Sequence, residues 1–393
     1  MSFLKKLFRF IFAIILVGAL AVGGYCVLFG LNGIYGGGSS LEENVLRVAS
    51  STVSSISASI NGYIPIESDG QLISDDDKAS LEDNDTGPSG ENYDFDEGNF
   101  YPYYEMLSEK GKAVYKKAYA NAVEFNSSFI ITNGIKTDEV QKAIEALFND
   151  HPELFWLETK YNYLYTEGDI CVQVSLEYNM TADQLPQAQV WFETAAVEIV
   201  NGAAAYGSDY EKEKFVHDTL AGSVEYDEEA PLSQSAYSAL VARRSVCAGY
   251  ARAFQYIMNR IGIPTYYVIG YSSGSHAWNI VKLDDGYYNV DVTWDASTPV
   301  SYRYFNRTDA DFAETHTRED ESCNLPQCTA EKYRGLESSP GLGLFNNIDN
   351  FFPSGRDDNT LPEPETYVPD PMPNNTFPGQ FDGTAQGGHI IIY

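Results

Sequence analysis

The stretch that decides the fold is "SVCAGYARAFQYIMNRIGIPTYYVIG", residues 245–270. Four apolar residues recur at helical spacing and share one face of a predicted helix: Ala251, Phe254, Met258 and Ile261. Gly262 is typical of the end of such a helix, and after Pro264 a run of aromatic and β-branched residues predicts a strand. The pattern therefore predicts a helix followed at once by a strand, with Cys247 in the first turn of the helix.

Cys247 stands where this helix begins, and not on the buried stripe that a structural cysteine would join. Ser245 is predicted to cap the helix. The backbone N–H groups and the helix dipole at such an N-terminus stabilise a thiolate. The position therefore favours a nucleophile over a small core residue, half of a disulfide or a metal ligand.

A thiolate nucleophile needs a base, and the base needs a group that orients it. Of the five histidines in the chain, His276 begins a predicted strand, "HAWNIVKL". The next predicted strand, "YYNVDVTW", carries Asn289, Asp291 and Thr293 on one face. His276 is thus the candidate base, and Asp291 is the candidate orienting acid.

The turn between the two predicted strands sets whether these side chains can meet. A two-residue turn at Asp284 and Asp285 pairs Asp291 with Trp278 and makes His276 a diagonal neighbour, roughly 7–8 Å away between backbones. A register shifted by one residue would place His276 and Asp291 on opposite faces. The expected register allows one imidazole nitrogen to meet the carboxylate and the other to meet the thiol.

Two alternatives concern the acid and a metal. Asp295 could be the acid, although its place after Trp294 is typical of a turn residue. A zinc site needs about four ligands at local spacing, and Cys323, Cys328 and His316 are too few. We expect Cys323 and Cys328 to form a short-loop disulfide, as fits an extracellular pair, and we expect no metal or other cofactor.

Charge limits the partners. The chain has 393 residues, with 25 Lys and Arg against 56 Asp and Glu, a net charge of −31. Binding of phosphate backbones needs clustered basic side chains. We therefore expect no nucleic-acid partner.

The N-terminus predicts a membrane anchor. Lys5, Lys6 and Arg9 precede an uncharged apolar run over residues 10–31, which is 22 residues long and enough to cross a bilayer once. Since the basic flank stays inside, the C-terminal part is expected outside the cell membrane. "ALA" at residues 19–21 resembles a signal-peptidase site, but cleavage there would leave an apolar end. We favour an uncleaved anchor.

Composition divides the chain into five parts. They are a cytoplasmic stub and transmembrane anchor (1–35), an acidic flexible linker (36–99), a helix-and-hairpin leader domain (100–205), a catalytic core (206–335) and a Pro-rich disordered tail (336–393). The linker contains Glu67–Glu97, with twelve acidic residues and one lysine, which predicts a solvated, self-repelling stretch rather than a calcium site. The tail carries eight of the seventeen prolines.

Local patterns define the leader domain. Thr137 is predicted to cap a helix, and a hairpin is predicted across a turn at Glu167 and Gly168. Cys171, on the second strand of this hairpin, is expected to be a packed thiol.

Three blocks of sequence together resemble a known family. They are "SVCAGYARAFQYIMNRIGIPTYYVIG", "SHAWNIVKLDDGYYNVDVTWDAS" and "YFNRTD". They resemble the bacterial transglutaminase-like superfamily, whose fold is similar to that of papain-type thiol enzymes, over about Tyr210–Thr317. The resemblance implies a catalytic triad of Cys247, His276 and Asp291. It also implies an oxyanion hole formed by the amide of the cysteine and an upstream donor.

The resemblance adds two weaker site candidates and a function. Tyr226 is the nearest candidate for the upstream donor, and Trp278 is a candidate for lining the substrate groove. The expected fold is α+β, with the cysteine helix packed on an antiparallel sheet. The expected activity is acyl transfer on peptide or carboxamide bonds of proteins or cell-wall peptides, by hydrolysis or transamidation. The alternative is a non-catalytic surface binding or scaffolding module that retains the fold.

Overall fold

The structure is a computed structural model that describes residues 65–82, 87–95 and 100–336. The predicted anchor, residues 36–64 of the predicted linker and the predicted tail after residue 336 lie outside the described residues. Within the described ranges, no helix is long and apolar enough to cross a membrane. The anchor and the cell-membrane location therefore stay predictions.

The first half of the described chain packs helices on a four-stranded sheet. Its strands are β1 (Glu67–Leu72), β2 (Ser128–Ile130), β3 (Leu157–Thr166) and β4 (Ile170–Tyr178), in the order β1-β3-β4-β2. Its helices are α1 (Asp75–Glu82), α2 (Pro102–Glu105), α3 (Glu109–Val123), α4 (Thr137–Asp150) and α5 (Leu185–Ala203). The predicted hairpin is confirmed, because β3 and β4 pair antiparallel across a turn in which Gly168 has a φ of 83°.

The second half places a long helix against a second four-stranded sheet. It begins with α6 (Asp209–Ser223), the short parallel pair β5 (Glu225–Tyr226) and β6 (Arg244–Ser245), and then α7 (Cys247–Arg260). The sheet that follows has the order β10-β7-β8-β9, with β7 (Thr265–Tyr271), β8 (Ser275–Leu283), β9 (Gly286–Val290) and β10 (Thr317–Arg318), all antiparallel. One-turn helices α8 (Val292–Asp295) and α9 (Asp309–Phe312) connect β9 to β10. The predicted α+β architecture is confirmed.

One large hydrophobic core joins the two halves. It runs from Phe95 to Ala330 and includes residues of both sheets and much of the buried face of α7. Hydrogen bonds cross the same boundary: the guanidinium of Arg252 donates to Phe148 O, and Gln255 Nε2 donates to Asn149 O at 2.8 Å. The end of α4 therefore holds the middle of the cysteine helix in place.

The predicted linker is partly folded. β1 pairs in parallel with β3 although nearly all its side chains are exposed, and Phe95 is buried in the core. An edge strand needs only its backbone hydrogen bonds, so acidic side chains that face water do not prevent it from forming. The prediction of a flexible linker is wrong for Glu67–Leu72 and for Phe95.

The predicted helix start at Thr137 is displaced by one residue. Thr137 is the first helical residue of α4, and Lys136 takes the capping position without a side-chain hydrogen bond. Because the backbone N–H of Thr137 bonds to Asp169 O at 2.9 Å, the hairpin turn fixes where this helix begins.

A buried polar cluster underlies the second half. His217 donates to Asp295 Oδ2 at 3.3 Å, and Asp295 also receives the backbone N–H of Tyr304 at 3.1 Å. Asp295, predicted as a turn residue, is the last residue of the single turn α8 and is fully buried. The cluster includes Glu213, which accepts from Asn306 Nδ2 at 3.0 Å, while its Oε1 has no hydrogen-bond partner. Burial raises the pKa of Glu213 to about 8, although this hydrogen bond and the nearby His217 oppose the shift.

We expect Glu213→Gln to reduce the pH dependence of folding. The folded chain keeps the Glu213 proton up to about pH 8, whereas the ordinary value for the group is 4.5. The stability from this group is therefore complete below its ordinary pKa. It is lost as the pH rises through the folded value, by at most about 1.4 kcal/mol per pH unit. Denaturant unfolding at about pH 5 and about pH 8 should show that the free energy of unfolding falls less between these pH values in the variant than in the wild type. An equal fall in both proteins would contradict the prediction.

Candidate active site

The start of α7 places Cys247 at the first helical position. Val246 takes the capping position, with φ of −104° and ψ of 179° and no side-chain hydrogen bond. The prediction that Ser245 caps this helix is wrong, because Ser245 lies in β6 and its hydroxyl donates to Ser233 O at 2.7 Å. The amide of Cys247 is one of the helix-start N–H groups that have no acceptor within the helix.

Gly249 lets the preceding loop pack against the start of the helix. A Cβ atom at this position would lie 1.9 Å from Ser245 Oγ, 2.7 Å from Ser235 O and 2.8 Å from Ser233 O. Two of these atoms are backbone carbonyl oxygens that cannot rotate away. The loop that supports Cys247 therefore requires glycine here.

The pairing of β8 and β9 brings His276 and Asp291 together. Leu283 pairs with Gly286 across a turn at Asp284 and Asp285, so the predicted register is confirmed. His276 Nε2 lies 2.7 Å from Asp291 Oδ2.

The strand predicted to contain Asp291 ends one residue before it. β9 stops at Val290, and Asp291 caps α8 by accepting the backbone N–H of Trp294 on Oδ1 at 3.1 Å. Thr293 therefore lies in a helix, and the prediction that it shares a strand face with Asp291 is wrong. An aspartate whose carboxylate accepts the backbone N–H three residues later favours the start of a helix over continued strand pairing.

His276 is held between a carboxylate and the thiol. Nε2 is the ring nitrogen that meets Asp291, so the other nitrogen serves the hydrogen bond with Cys247. Burial alone would lower the pKa of His276, but the charges and hydrogen bonds of Asp291 and Cys247 outweigh it and raise the pKa. Burial opposes the ionised form of Asp291, but the charge and hydrogen bond of His276, with a hydrogen bond from His316, hold the pKa of this carboxyl well below its usual range. The geometry thus favours an imidazolium between two acceptors.

Cys247 is completely buried, with 0% of its surface exposed. It lies in a small apolar cluster with Ala251, Tyr267 and Ala277. Access of a substrate carbonyl to the sulfur therefore requires the covering side chains to move.

A second histidine, His316, binds the same carboxylate oxygen. His316 Nε2 lies 3.0 Å from Asp291 Oδ2, and its Nδ1 lies 2.8 Å from Thr315 Oγ1. In the sequence analysis, His316 was weighed only as one of three residues too few to form a zinc site. It lies 25 residues beyond Asp291, outside the two paired strands, so no strand periodicity connected them.

The two weaker site candidates, Trp278 and Tyr226, differ in exposure. Trp278 is buried, and its Nε1 donates to Asn289 Oδ1 at 3.1 Å, so it packs beneath the histidine and does not line a groove at the surface. Tyr226 is 43% exposed and Trp294 is 37% exposed. Burial of the Tyr226 hydroxyl, and then the negative charges nearby, chiefly that of Cys247, raise the pKa of Tyr226. Tyr226 is therefore close to the sulfur at an accessible edge of the site.

The donor atoms of His276, Asp291 and His316 lie within 4.8 Å of one another and could be considered as metal ligands. Ligand atoms around a tetrahedral zinc ion lie ~3.3 Å apart, given bonds of ~2.0–2.1 Å. Here the two imidazole nitrogens lie 2.7 and 3.0 Å from Asp291 Oδ2, which are hydrogen-bond distances. The geometry favours a hydrogen-bonded network at these residues.

The predicted disulfide is not formed. Cys323 and Cys328 are both reduced; Cys323 is exposed and Cys328 is buried. The Cys323 thiol donates to Arg318 O at 3.3 Å, whereas Arg318 Nη2 donates to Cys328 Sγ at 3.5 Å. Arg318 thus lies between the two residues and engages each separately.

Comparison with known proteins finds one family match, mostly within the second half of the described chain. Residues 195–292 match the family model described as the transglutaminase-like superfamily. The matched domain begins within α5 and ends one residue after Asp291, so it contains Cys247 and His276 but not His316. No curated protein matches the chain.

Three solved structures show slight similarity to the chain. A crystal structure of a TGase is 14% identical, covers 42% of this chain and 50% of its own, and has a TM-score of 0.26. A candidate cysteine protease from Cytophaga hutchinsonii is 20% identical, with 31% and 51% coverage and a TM-score of 0.23. The periplasmic domain of TgpA from Pseudomonas aeruginosa is 16% identical, with 32% and 53% coverage and a TM-score of 0.24. The chain spans about half the length of each.

We expect Gly249→Ala to destabilise the transglutaminase-like domain by roughly 1–3 kcal/mol, the cost of forcing a methyl group into a packed site. Gly207→Ala is a matched control, because a Cβ there would lie 4.0 Å from its nearest neighbour, Glu211 Oε2. Denaturant unfolding should separate the two variants. A Gly249→Ala protein as stable as the control would show that the loop does not require glycine.

Proposed function

We propose that this protein is a cysteine-dependent acyl-transfer enzyme, anchored in the cell membrane with its catalytic domain outside. The observation that carries the proposal is the hydrogen-bonded series Cys247–His276–Asp291 at the start of α7. A thiol, an imidazole and a carboxylate in this order are what nucleophilic acyl transfer requires. The transglutaminase-like domain that contains all three supports the same reaction class.

The first chemical step forms a thioester. The Cys247 sulfur attacks a peptide or carboxamide carbonyl, and the C–N bond breaks as His276 delivers its proton to the departing nitrogen. The amide N–H of Cys247 is placed to bind the developing oxyanion, and Tyr226 is the candidate second donor. Asp291 keeps the imidazole oriented and stabilises its charged form.

The second step releases the acyl group. Water or a primary amine attacks the thioester carbonyl, His276 removes the proton of the attacking group, and the C–S bond breaks to restore the thiolate. Water gives hydrolysis, and an amine gives transamidation. The proposed substrates are peptide or glutamine-type carboxamide groups of proteins or cell-wall peptides, since no described feature selects between these two classes.

One observation favours a second candidate, a binding or scaffolding module that retains the fold. Cys247 is fully buried, and a sulfur that stays covered cannot attack a substrate. The two candidates differ in one requirement, which is whether the site opens.

We expect Cys247→Ala to abolish product formation, with a loss of at least ~10³-fold, because the nucleophile is removed. The full-length protein would be incubated with a protein and with cell-wall peptides, with and without an added primary amine, and the products weighed by mass spectrometry. Amine-containing products would indicate transamidation, and products containing only water would indicate hydrolysis.

Cys171→Ala is the matched control, since Cys171 is an equally buried thiol in β4 and burial raises its pKa to about 12. This variant should retain wild-type activity. Equal product from the wild type and Cys247→Ala would reject the enzyme, and absence of product from all three proteins would favour the binding module.

A further inference from the structure

We propose that His316 is a positioning residue of the site: its Nε2–H donates to Asp291 Oδ2 and holds this carboxylate in place for His276. The inference rests on the proposed function. It extends the site by one residue that the transglutaminase-like match, which ends at residue 292, does not contain.

The contacts of His316 define its proton arrangement. An ionised carboxylate only accepts hydrogen bonds, so the nitrogen 3.0 Å from Asp291 Oδ2 carries a hydrogen. Nδ1, the other ring nitrogen, lies 2.8 Å from the hydroxyl of Thr315, which can donate to it. Both nitrogens therefore have partners, and these partners fix the orientation of the ring.

Asp291 needs this donor because it is fully buried. Its Oδ1 receives the backbone N–H of Trp294, and its Oδ2 receives both imidazoles. A buried carboxylate is costly unless hydrogen bonds compensate for lost water. Without His316, the oxygen that orients His276 would lose one of its two donors.

The surroundings of His316 are apolar and closed to water, so its ring is not a solvated surface group. Its side chain is fully buried. Four aromatic rings have their centroids 4.4–5.4 Å from its own: Trp278, Trp294, Tyr304 and Phe312. Among the described residues, the titratable groups that face it are Asp291, His276 at 5.5 Å between rings, and the hydroxyl-bearing Tyr304. Within the described ranges, the acceptor for its Nε2 is Asp291.

The close approach of β10 fixes where His316 lies. Thr317 pairs with Tyr271, and a Cβ on Gly270 would lie 2.1 Å from Thr317 O and 2.5 Å from the Trp278 ring. Glycine at this position lets the chain after His316 lie directly against β7. The same contact brings the imidazole over the end of β9.

The test measures the alkylation of Cys247 by iodoacetamide in the full-length protein across pH, with each labelled cysteine quantified by peptide mass spectrometry. The alkylation rate falls at acidic pH as the thiolate becomes protonated, which gives the acidic limb of the profile. The pH at which it falls reports how far an imidazolium held by Asp291 stabilises the thiolate. His316→Leu removes the donor but fills the space, whereas His316→Gln keeps an amide N–H at about the same reach. We expect the leucine variant to move the acidic limb up by about one pH unit, a tenfold lower rate at a given acidic pH. The glutamine variant should recover most of this change.

Comparing His316→Leu with His316→Gln separates a positioning role from a structural one, because a loss of packing would shift the pH profiles of both variants alike. Superimposed wild-type and His316→Leu profiles, or equal displacement in the leucine and glutamine variants, would overturn the proposal. So would a wild-type profile that changes on treatment with EDTA, since this would indicate an ion at these residues. If His316→Leu does not fold, Thr315→Val decides: it removes only the hydroxyl that orients the ring. It should move the limb in the same direction by a smaller amount, and an unmoved limb would overturn the proposal.

Failure of the proposed function gives a different result. In that case wild-type Cys247 would react at acidic pH no faster than Cys171, the buried thiol without a histidine partner. A reactive wild-type Cys247 with an unaltered His316→Leu variant would reject only the role of His316.

Discussion

The buried carboxylate of Asp291 is the constraint on which the site depends. A carboxylate removed from water must be compensated by hydrogen bonds and positive charge, and here a backbone N–H and two imidazoles supply them. The compensation works in both directions, since the negative charge of Asp291 also favours the charged form of His276, the ring that contacts Cys247. The aromatic side chains around the two histidines exclude water and strengthen these interactions.

Two separate parts of the fold position the residues of this arrangement. The tight turn between β8 and β9 sets the register that presents His276 and Asp291 on one face. The cysteine arrives on α7, which is held at its middle by backbone carbonyls at the end of α4 through Arg252 and Gln255. The leader half is therefore part of the support for the helix that begins with Cys247 and shares its hydrophobic core.

A comparison within the molecule shows what distinguishes the site from structural chemistry. His217 and Asp295 form a second fully buried imidazole–carboxylate pair. It has no thiol among its hydrogen-bonding partners, which are carboxylates on both sides of the ring. A buried histidine beside an aspartate is thus found twice in this molecule, and the cysteine at a helix start distinguishes the His276–Asp291 pair from the other.

The sequence by itself determined the helix that begins with Cys247, the strand that follows it, and the turn that sets His276 against Asp291. These features are local, because they depend on helical spacing, strand alternation and the length of one turn. The tertiary structure alone decided the rest: Asp291 ends its strand and caps a helix, Asp295 turns inward to His217, Cys323 and Cys328 remain apart around Arg318, and β1 forms from an acidic stretch. His316 belongs to the same class. Its contact with Asp291 joins residues that no common periodicity links, and it exists only because β10 packs across β7 where Gly270 leaves room.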